Sequence, residues 1–323
     1  MTVLFGLPVG FFLWMTAMPG DSFAGPLPAM TAAQSASAAR LRADVVAIVA
    51  AGPRNVAHPE ALERAALHIE AQLRAAGHAP QAQIYQSGGQ MVRNIEVVVA
   101  PVSPAAETLV VGAHYDSRDT SPGANDNGSG TAAVLELARR LAGLRGRASL
   151  RIRLVLFVNE EPPYFKTRLM GSLVYARRLS RSGERVMGML ALDTLGYYRD
   201  APGTQHYPFP FSLRYPDTGN FAAFVGPLSA RGFVRRTVGA FRRTAQFPSE
   251  GGTAPAFMQG LDWSDHWSFG EIGVPALIVT DTAPFRDPHY HSNADTAERL
   301  DYDRLARVVD GLARMIVEWA EPS

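Results

Sequence analysis

The chain has 323 residues, nearly half of them hydrophobic and 19% charged, with a formal net charge of +1. That is the composition of a soluble globular protein, and the near-balance of charge leaves no global field that would draw nucleic acid to it. The absence of cysteine excludes disulfides and thiolate metal sites, so any metal must be held by imidazole and carboxylate.

The first element is the run VLFGLPVGFFLWMTAM, residues 3–18, apolar and uncharged, closed by Pro19, Gly20 and Asp21. It is shorter than the roughly 20 residues of a membrane span and has the character of a signal-peptide core or short anchor. Against this, no basic residue precedes it, and Pro8 and Gly10 interrupt it. The alternative is a buried N-terminal element of the globular domain. Residues 22–33 are rich in Pro, Ala and Gly and read as a linker. Residues 1–33 are therefore expected to be a signal or membrane-anchor segment plus linker. That would place the protein outside the cytoplasm, secreted or membrane-associated through the segment, with residues 34–323 as the working domain.

Helical periodicity follows. PEALERAALHIEAQLRAAG puts Leu62, Ala66, Ile69 and Leu73 on one face, with Gly77 as its stop. Short apolar, β-branched runs then alternate with helical ones: NIEVVVA, TLVVGA, LRIRLVLFV, GMLALD and PALIVT. GTAAVLELARRL is helical, with Ser129 as the expected N-cap. A last helix over 301–320 aligns Leu305, Val308, Leu312, Ile316 and Trp319. Alternating β and α elements predict a mixed or parallel sheet covered by helices on both faces.

Five polar motifs fall just beyond the predicted strands, where open α/β sheets bind ligands. HYDSRDTSPGANDNGSG carries His114, Asp116 and Asp126; LFVNEEPP carries Glu160 and Glu161; MLALDTLGYY carries Asp193; WSDHWSFGEIG carries Asp265 and His266; RDPHYHSNADT carries His289 and His291. Singly, each has an ordinary explanation as a cap, a turn or a surface hydrogen bond. Together they supply imidazoles and several carboxylates at one sheet edge. A pair of divalent ions about 3.5 to 4 Å apart needs such a set, with one carboxylate to bridge. Imidazole and carboxylate suit zinc, and other divalent ions too. His58, His68, His78 and His206 lie outside the motifs and read as structural.

The order HYDS, SPGANDNGSG, NEEPP, LDTLGYY, SDHWSF and HYHSNADT resembles the zinc aminopeptidases of metallopeptidase family M28, from about Arg40 to the C-terminus. The resemblance implies a phosphorylase/hydrolase-like α/β fold, a three-layer sandwich with a central mixed sheet of about eight strands between helices. It implies two zinc ions per chain, one on His114 and Asp193, the other on Glu161 and His291, with Asp126 bridging. Glu160 would be the general base. Asp116 would orient His114, and Asp265 would give similar support near His291. The Pro-Gly-Ala turn would bend the chain to bring Asp126 between the ions, with Gly128 and Gly130 allowing close packing where the next helix begins.

The substrate implied is a peptide with a free N-terminus, its carbonyl oxygen assisted by Tyr290, Tyr197 or Tyr198. Carboxypeptidases and glutaminyl cyclases share the scaffold, as do non-catalytic binding domains. A carboxypeptidase would need a cationic pocket, for which the arginines around 231–243 are candidates; a cyclase typically uses one zinc. One departure stands out: PPYFKTRLM intervenes between the paired acids and GSLVYA, and is expected to shape the substrate pocket.

Overall fold

The computed structural model describes residues 2–321, with side chains from residue 8 onward. In chain order the principal elements are α1 (Thr2–Thr16), α2 (Ala32–Val49), α3 (Pro59–Ala75), β1 (Gln81–Ser87), β2 (Gln90–Val99), β3 (Thr108–His114), α4 (Gly130–Leu141), β4 (Arg151–Phe157), α5 (Gly171–Ser180), β5 (Val186–Leu192), β6 (Ala222–Pro227), α6 (Arg231–Thr244), β7 (Ser249–Ala254), α7 (His266–Gly270), β8 (Ala276–Thr280) and α8 (Tyr302–Ala320).

The strands form one eight-stranded sheet in the order β1-β2-β4-β3-β5-β8-β6-β7. Strands β4, β3, β5 and β8 run parallel to one another, β1–β2, β2–β4 and β6–β8 pair antiparallel, and β6–β7 is parallel. Alternation along the central strands divides the core. Leu109, Val111 and Ala113 of β3, with Leu190 and Leu192 of β5, join the cluster built by α2, α3, α4, α6 and α8. Val110, Met189 and Ala191 join the cluster under α5 and α7 on the opposite face. This is the helix–sheet–helix sandwich expected.

Some local readings change. Ser129 is helical in backbone and makes no capping bond; its hydroxyl donates to Asn125 O at 2.7 Å and accepts from Leu195 N at 2.9 Å, tying two site loops together. Strands β1, β6 and β7 carry weak sequence signals for a physical reason. β1 is an edge strand, QAQIYQS, with Ile84 exposed. β7 is SEGGTA, two of its six residues glycine. The final helix matches its predicted stripe and is capped by Asp301, whose side chain accepts from Arg304 N at 2.9 Å.

Among the described residues no helix is long and apolar enough to cross a membrane. Helix α1 leaves Val9, Phe11, Leu13 and Trp14 exposed but buries Met15 and Thr16. Its end meets the domain: Thr253 Oγ1 donates to Met15 O at 2.9 Å and Arg231 to Trp14 O at 2.7 Å. Farther along, Ser249 N donates to Ser22 Oγ at 2.9 Å and Arg307 to Pro28 O at 2.6 Å. Contacts therefore cross the boundary expected near residue 33.

Candidate metal centre

Because β4, β3, β5 and β8 are parallel neighbours, their carboxyl ends share one edge. His114 is the last residue of β3; Glu160 and Glu161 follow β4; Asp193 follows β5; His291 lies on the loop after β8. Asn159, Thr194 and His291 take left-handed backbone, with φ of 62°, 54° and 57°. Non-glycine residues adopt that conformation at a cost, and it concentrates at functional sites. Here it turns three chain segments sharply at the sheet edge. Two glycines make the approach of the fourth segment possible. Gly123, at φ +63°, would place a Cβ 2.4 Å from Asp126 O, and Gly130 would place one 2.2 Å from Leu192 O. Any side chain would push the Asp126 loop and α4 off the sheet.

The result is two sets of donor atoms. His114, Glu160 and Asp193 form one and Asp126, Glu161 and His291 the other, the potential ligand atoms of each within 4.8 Å of one another. Asp126 faces both. Its Oδ1 is 3.3 Å from His114 Nε2 and its Oδ2 is 2.8 Å from His291 Nε2. His114 Nε2 is also 3.6 Å from Asp193 Oδ1 and 3.8 Å from Glu160 Oε2, and His291 Nε2 is 3.6 Å from Glu161 Oε2. The predicted residues are thus brought together, with Glu160 on the His114 side and Glu161 on the His291 side.

A divalent ion fits these atoms. His114 Nε2, Glu161 Oε1 and Asp193 Oδ1 are buried with no hydrogen-bond partner among the described residues. Buried polar atoms ordinarily have one, and a cluster of like-charged carboxylates calls for a cation.

The supports are less obvious from sequence. The Asp116 carboxylate accepts from Glu160 N at 3.2 Å and Glu161 N at 3.1 Å. Its main-chain oxygen, at 3.2 Å, is nearer to His114 Nδ1 than its Oδ1, at 3.6 Å. Asp116 therefore positions the glutamate pair at least as directly as the histidine. Asp295 accepts from Asn125 N at 2.7 Å and Asp126 N at 3.0 Å. Asp281 accepts from Asn125 Nδ2 at 2.9 Å and Tyr197 N at 2.7 Å. Arg54 is fully buried and donates to Tyr115 O at 2.6 Å, Gly123 O at 2.8 Å and Pro122 O. Sequence reading missed Arg54, Asp281 and Asp295. The ADT run after His291 was the only local signal for Asp295, and Arg54 lies 60 residues upstream of His114 with no motif around it.

The electrostatics follow from burial. Burial disfavours a charged His114, but the carboxylates of Glu160 and Asp193 outweigh it and hold its pKa well above the ordinary imidazole range. Burial raises Glu160 well above the carboxylate range, Glu161 and Asp193 adding to the rise against His114. It raises Glu161 similarly, with Asp126 adding. Asp126 goes the other way: the imidazoles of His114 and His291 beside its two oxygens overcome its burial and depress it. Burial pulls Arg54 down to about 10 against the opposing attraction of Asp116 and Asp295, and lifts Asp295 to about 7.

Asp265 is fully buried, its carboxyl lifted by burial to about 7. The charged groups that act on it most are His114, Asp193 and Asp116, which places it beside the His114 donor set. His266 turns to Leu261 O at 2.6 Å and belongs to the core. His68 bonds Asp44 and His78 bonds Ala138 O, as structural histidines do.

A largely apolar cavity of about 150 Å³ opens beside Asp193 and Thr194, lined by Tyr290 but not by Tyr197 or Tyr198. Tyr290 stacks on His291, ring centroids 3.8 Å apart. The PPYFKTRLM segment does not line this cavity. It acts on it indirectly: Lys166 pairs with Asp262 and sits 5.5 Å over the Trp267 ring, holding the loop that contributes Leu261 and Trp263 to the wall. The α6 arginines do not line it either; Arg231 and Arg235 are bonded to Trp14 O and Ala17 O, and Arg243 to Glu318.

The sheet and its two facing donor sets define an α/β protein with a candidate dinuclear metal centre. The model of Peptidase family M28 matches residues 94–316, and the chain belongs to that family. A protein of Escherichia coli K12 described as the uncharacterized protein YfbL is 37% identical over 274 residues, 82% of each chain. Leucine aminopeptidase 1 of Arthroderma otae is 26% identical over 67% of this chain, which spans only 56% of that longer protein. Among solved structures, the aminopeptidase of Aneurinibacillus sp. strain AM-1 superimposes with a TM-score of 0.67 at 17% identity, covering 90% of this chain and 96% of that one. The Porphyromonas gingivalis glutaminyl cyclase does so with a TM-score of 0.66 at 22% identity, covering 87% and 98%. These two likenesses establish the fold.

Proposed function

We propose that the protein is a zinc-dependent aminopeptidase that removes N-terminal residues from peptides. The observation that carries this reading is Asp126, with one carboxylate oxygen toward His114 and the other toward His291. Two ligand sets sharing a carboxylate favour a dinuclear hydrolase over a one-metal cyclase. His114, Asp193 and Asp126 would hold one ion and His291, Glu161 and Asp126 the other. The commitment of Arg231, Arg235 and Arg243 elsewhere weighs against a carboxypeptidase, which needs free cations for the substrate carboxylate.

Zinc, when bound, would supply the Lewis acidity that lowers the pKa of a water and polarises a carbonyl. Glu160, fixed through its main chain by Asp116, takes the proton of the attacking water and returns it to the leaving nitrogen. Asp193, at the mouth of the cavity, faces the substrate's α-ammonium while the first side chain enters the cavity. Tyr290 lies at that mouth too, and its hydroxyl would donate to the carbonyl oxygen as charge develops there.

The test is metal content beside turnover of an aminoacyl arylamide, its N-acetylated counterpart and a peptide with N-terminal Gln. Two ions per chain, with turnover of the free amine only, is the expected result. One ion with cyclisation of the Gln peptide would replace this reading with the cyclase. The apolar N-terminal run also supports export or attachment at a membrane surface; full-length protein recovered only from cytosol would refute that.

A further inference from the structure

The cavity beside Asp193 has aromatic and aliphatic walls, including Phe211, Phe221, Ile278 and Phe285, and reaches Glu250 on β7. Most polar groups on those walls are already committed. The Tyr207 hydroxyl donates to Pro216 O at 2.7 Å, Tyr215 to Gly251 O at 2.8 Å, Thr253 to Met15 O at 2.9 Å and Thr282 to Gln205 Oε1 at 3.0 Å. Away from the metal-centre end, where Asp193 and Tyr290 lie, the Glu250 carboxylate is not so committed. Its side chain is 21% exposed and its closest cation, Arg242, stands 3.8 Å away. The Arg242 guanidinium donates instead to Ser249 O at 2.9 Å and Gly20 O at 2.6 Å. Among the described residues the Glu250 carboxylate accepts no hydrogen bond.

An acid in an apolar wall without a hydrogen-bonded partner is costly unless a partner arrives. Arg242 lowers the cost of keeping Glu250 ionised without occupying it. The rings of Tyr207 and Tyr215, centroids 5.7 Å apart, lie close enough to feel the Glu250 charge. Aromatic faces attract cations. Apolar walls ending in a carboxylate beside tyrosine rings match one kind of side chain, long and aliphatic with a cationic end.

We propose that Glu250 selects lysine or arginine as the N-terminal residue of the substrate, with the aliphatic stem against Phe221 and Ile278 and the cationic end at Glu250. This rests on the aminopeptidase reading above.

The experiment compares kcat/KM for lysyl, arginyl, norleucyl and leucyl arylamides in the wild type, Glu250→Gln and Glu250→Asp, with melting curves and metal content for each. Norleucine has the lysine stem without the charge. The wild type is expected to prefer lysyl over norleucyl. Glu250→Gln should lower the lysyl-to-norleucyl ratio roughly 10- to 100-fold, the range for a hydrogen bond to a charged group, and Glu250→Asp should keep part of it. Competition by free L-lysine against L-norleucine gives the same comparison without turnover. A wild type that prefers norleucyl, or a ratio unchanged in Glu250→Gln, overturns the proposal alone. No turnover of any free-amine arylamide overturns the aminopeptidase reading and this proposal with it.

Discussion

Replacing Asp116 by Asn tests how the site is held. The carboxylate is 2% exposed and accepts two main-chain N–H groups, Glu160 N at 3.2 Å and Glu161 N at 3.1 Å. Asn keeps the size but turns one oxygen into an NH2 group. One oxygen can still accept; the other N–H then faces a second donor. A buried donor left unsatisfied costs about 1 to 3 kcal/mol, so the glutamate turn should shift to relieve it. Spent on that shift, the penalty corresponds to roughly 5- to 150-fold in an equilibrium or rate constant, which spans the roughly 10- to 100-fold typical of residues that support metal ligands. His114 should be less disturbed, because its Nδ1 retains the Asp116 main-chain oxygen at 3.2 Å. The assay is metal affinity by competition with a chromogenic chelator, beside kcat on one aminoacyl arylamide. Both should worsen within that range in a folded protein. Unchanged affinity and unchanged kcat would refute the argument that the glutamate pair depends on Asp116.

The adjacent glutamates should separate by role: Glu160→Gln should keep its metal load while kcat falls by about 10² to 10⁴, and Glu161→Gln should lose metal along with rate. Metal content showing the reverse would exchange their assignments. Arg54→Met should destabilise the fold by about 3 to 5 kcal/mol, because it removes a buried cation that faces Asp116 and Asp295 and binds three carbonyls; a chemical melt matching the wild type would contradict this. Chelation should lower the melting temperature by several degrees, since a ligand at 100 times its Kd stabilises the native state by about 2.7 kcal/mol; coincident melts with and without chelator would argue against a structural contribution from metal. A chain beginning at residue 31 should melt lower and show a raised KM, because β7 loses its bonds to Met15 and Ser22; identical melting and KM would show that the N-terminal segment is dispensable.

The legible parts of this molecule are those that short-range pattern controls. Central strands such as TLVVGA are buried on both faces and read as continuous apolar runs. Of the candidate ligands, His114, Glu160, Glu161 and Asp193 were legible because each closes or closely follows such a run, so strand recognition also located the sheet edge. Edge elements were harder: β1 is mostly polar because one face meets solvent, and β7 has glycines where Tyr215 and Met18 press on its backbone. The supporting residues were harder still. Nothing local marks Arg54, because its partners arrive only when 115–123 folds over it. The Ser129 expectation failed because loop-to-loop bonding to Asn125 and Leu195 took the hydroxyl that a cap would have used.

The two halves of the sheet divide the work. Parallel strands β3, β4, β5 and β8 deliver the candidate ligand segments to one edge, where the main-chain N–H groups of those segments donate to the carboxylates of Asp116 and Asp295 and so fix the acids. The cavity walls come from the other side, from β6, β7 and the loop around Tyr207 to Tyr215, with β8 contributing Ile278 and Thr280. The sheet changes direction between β8 and β6, which pair antiparallel, so the wall is not an extension of the ligand-bearing edge. Side chains that set cavity shape and charge, Glu250 among them, can therefore change without moving a ligand. Asp193 and Tyr290 join the two halves. Asp193 belongs to a ligand set and lines the cavity, and Tyr290 lines the cavity while stacking on His291. A side chain seated in the cavity would rest against the same two segments that carry the candidate ligands Asp193 and His291, which under the aminopeptidase reading would set the substrate's position relative to Glu160.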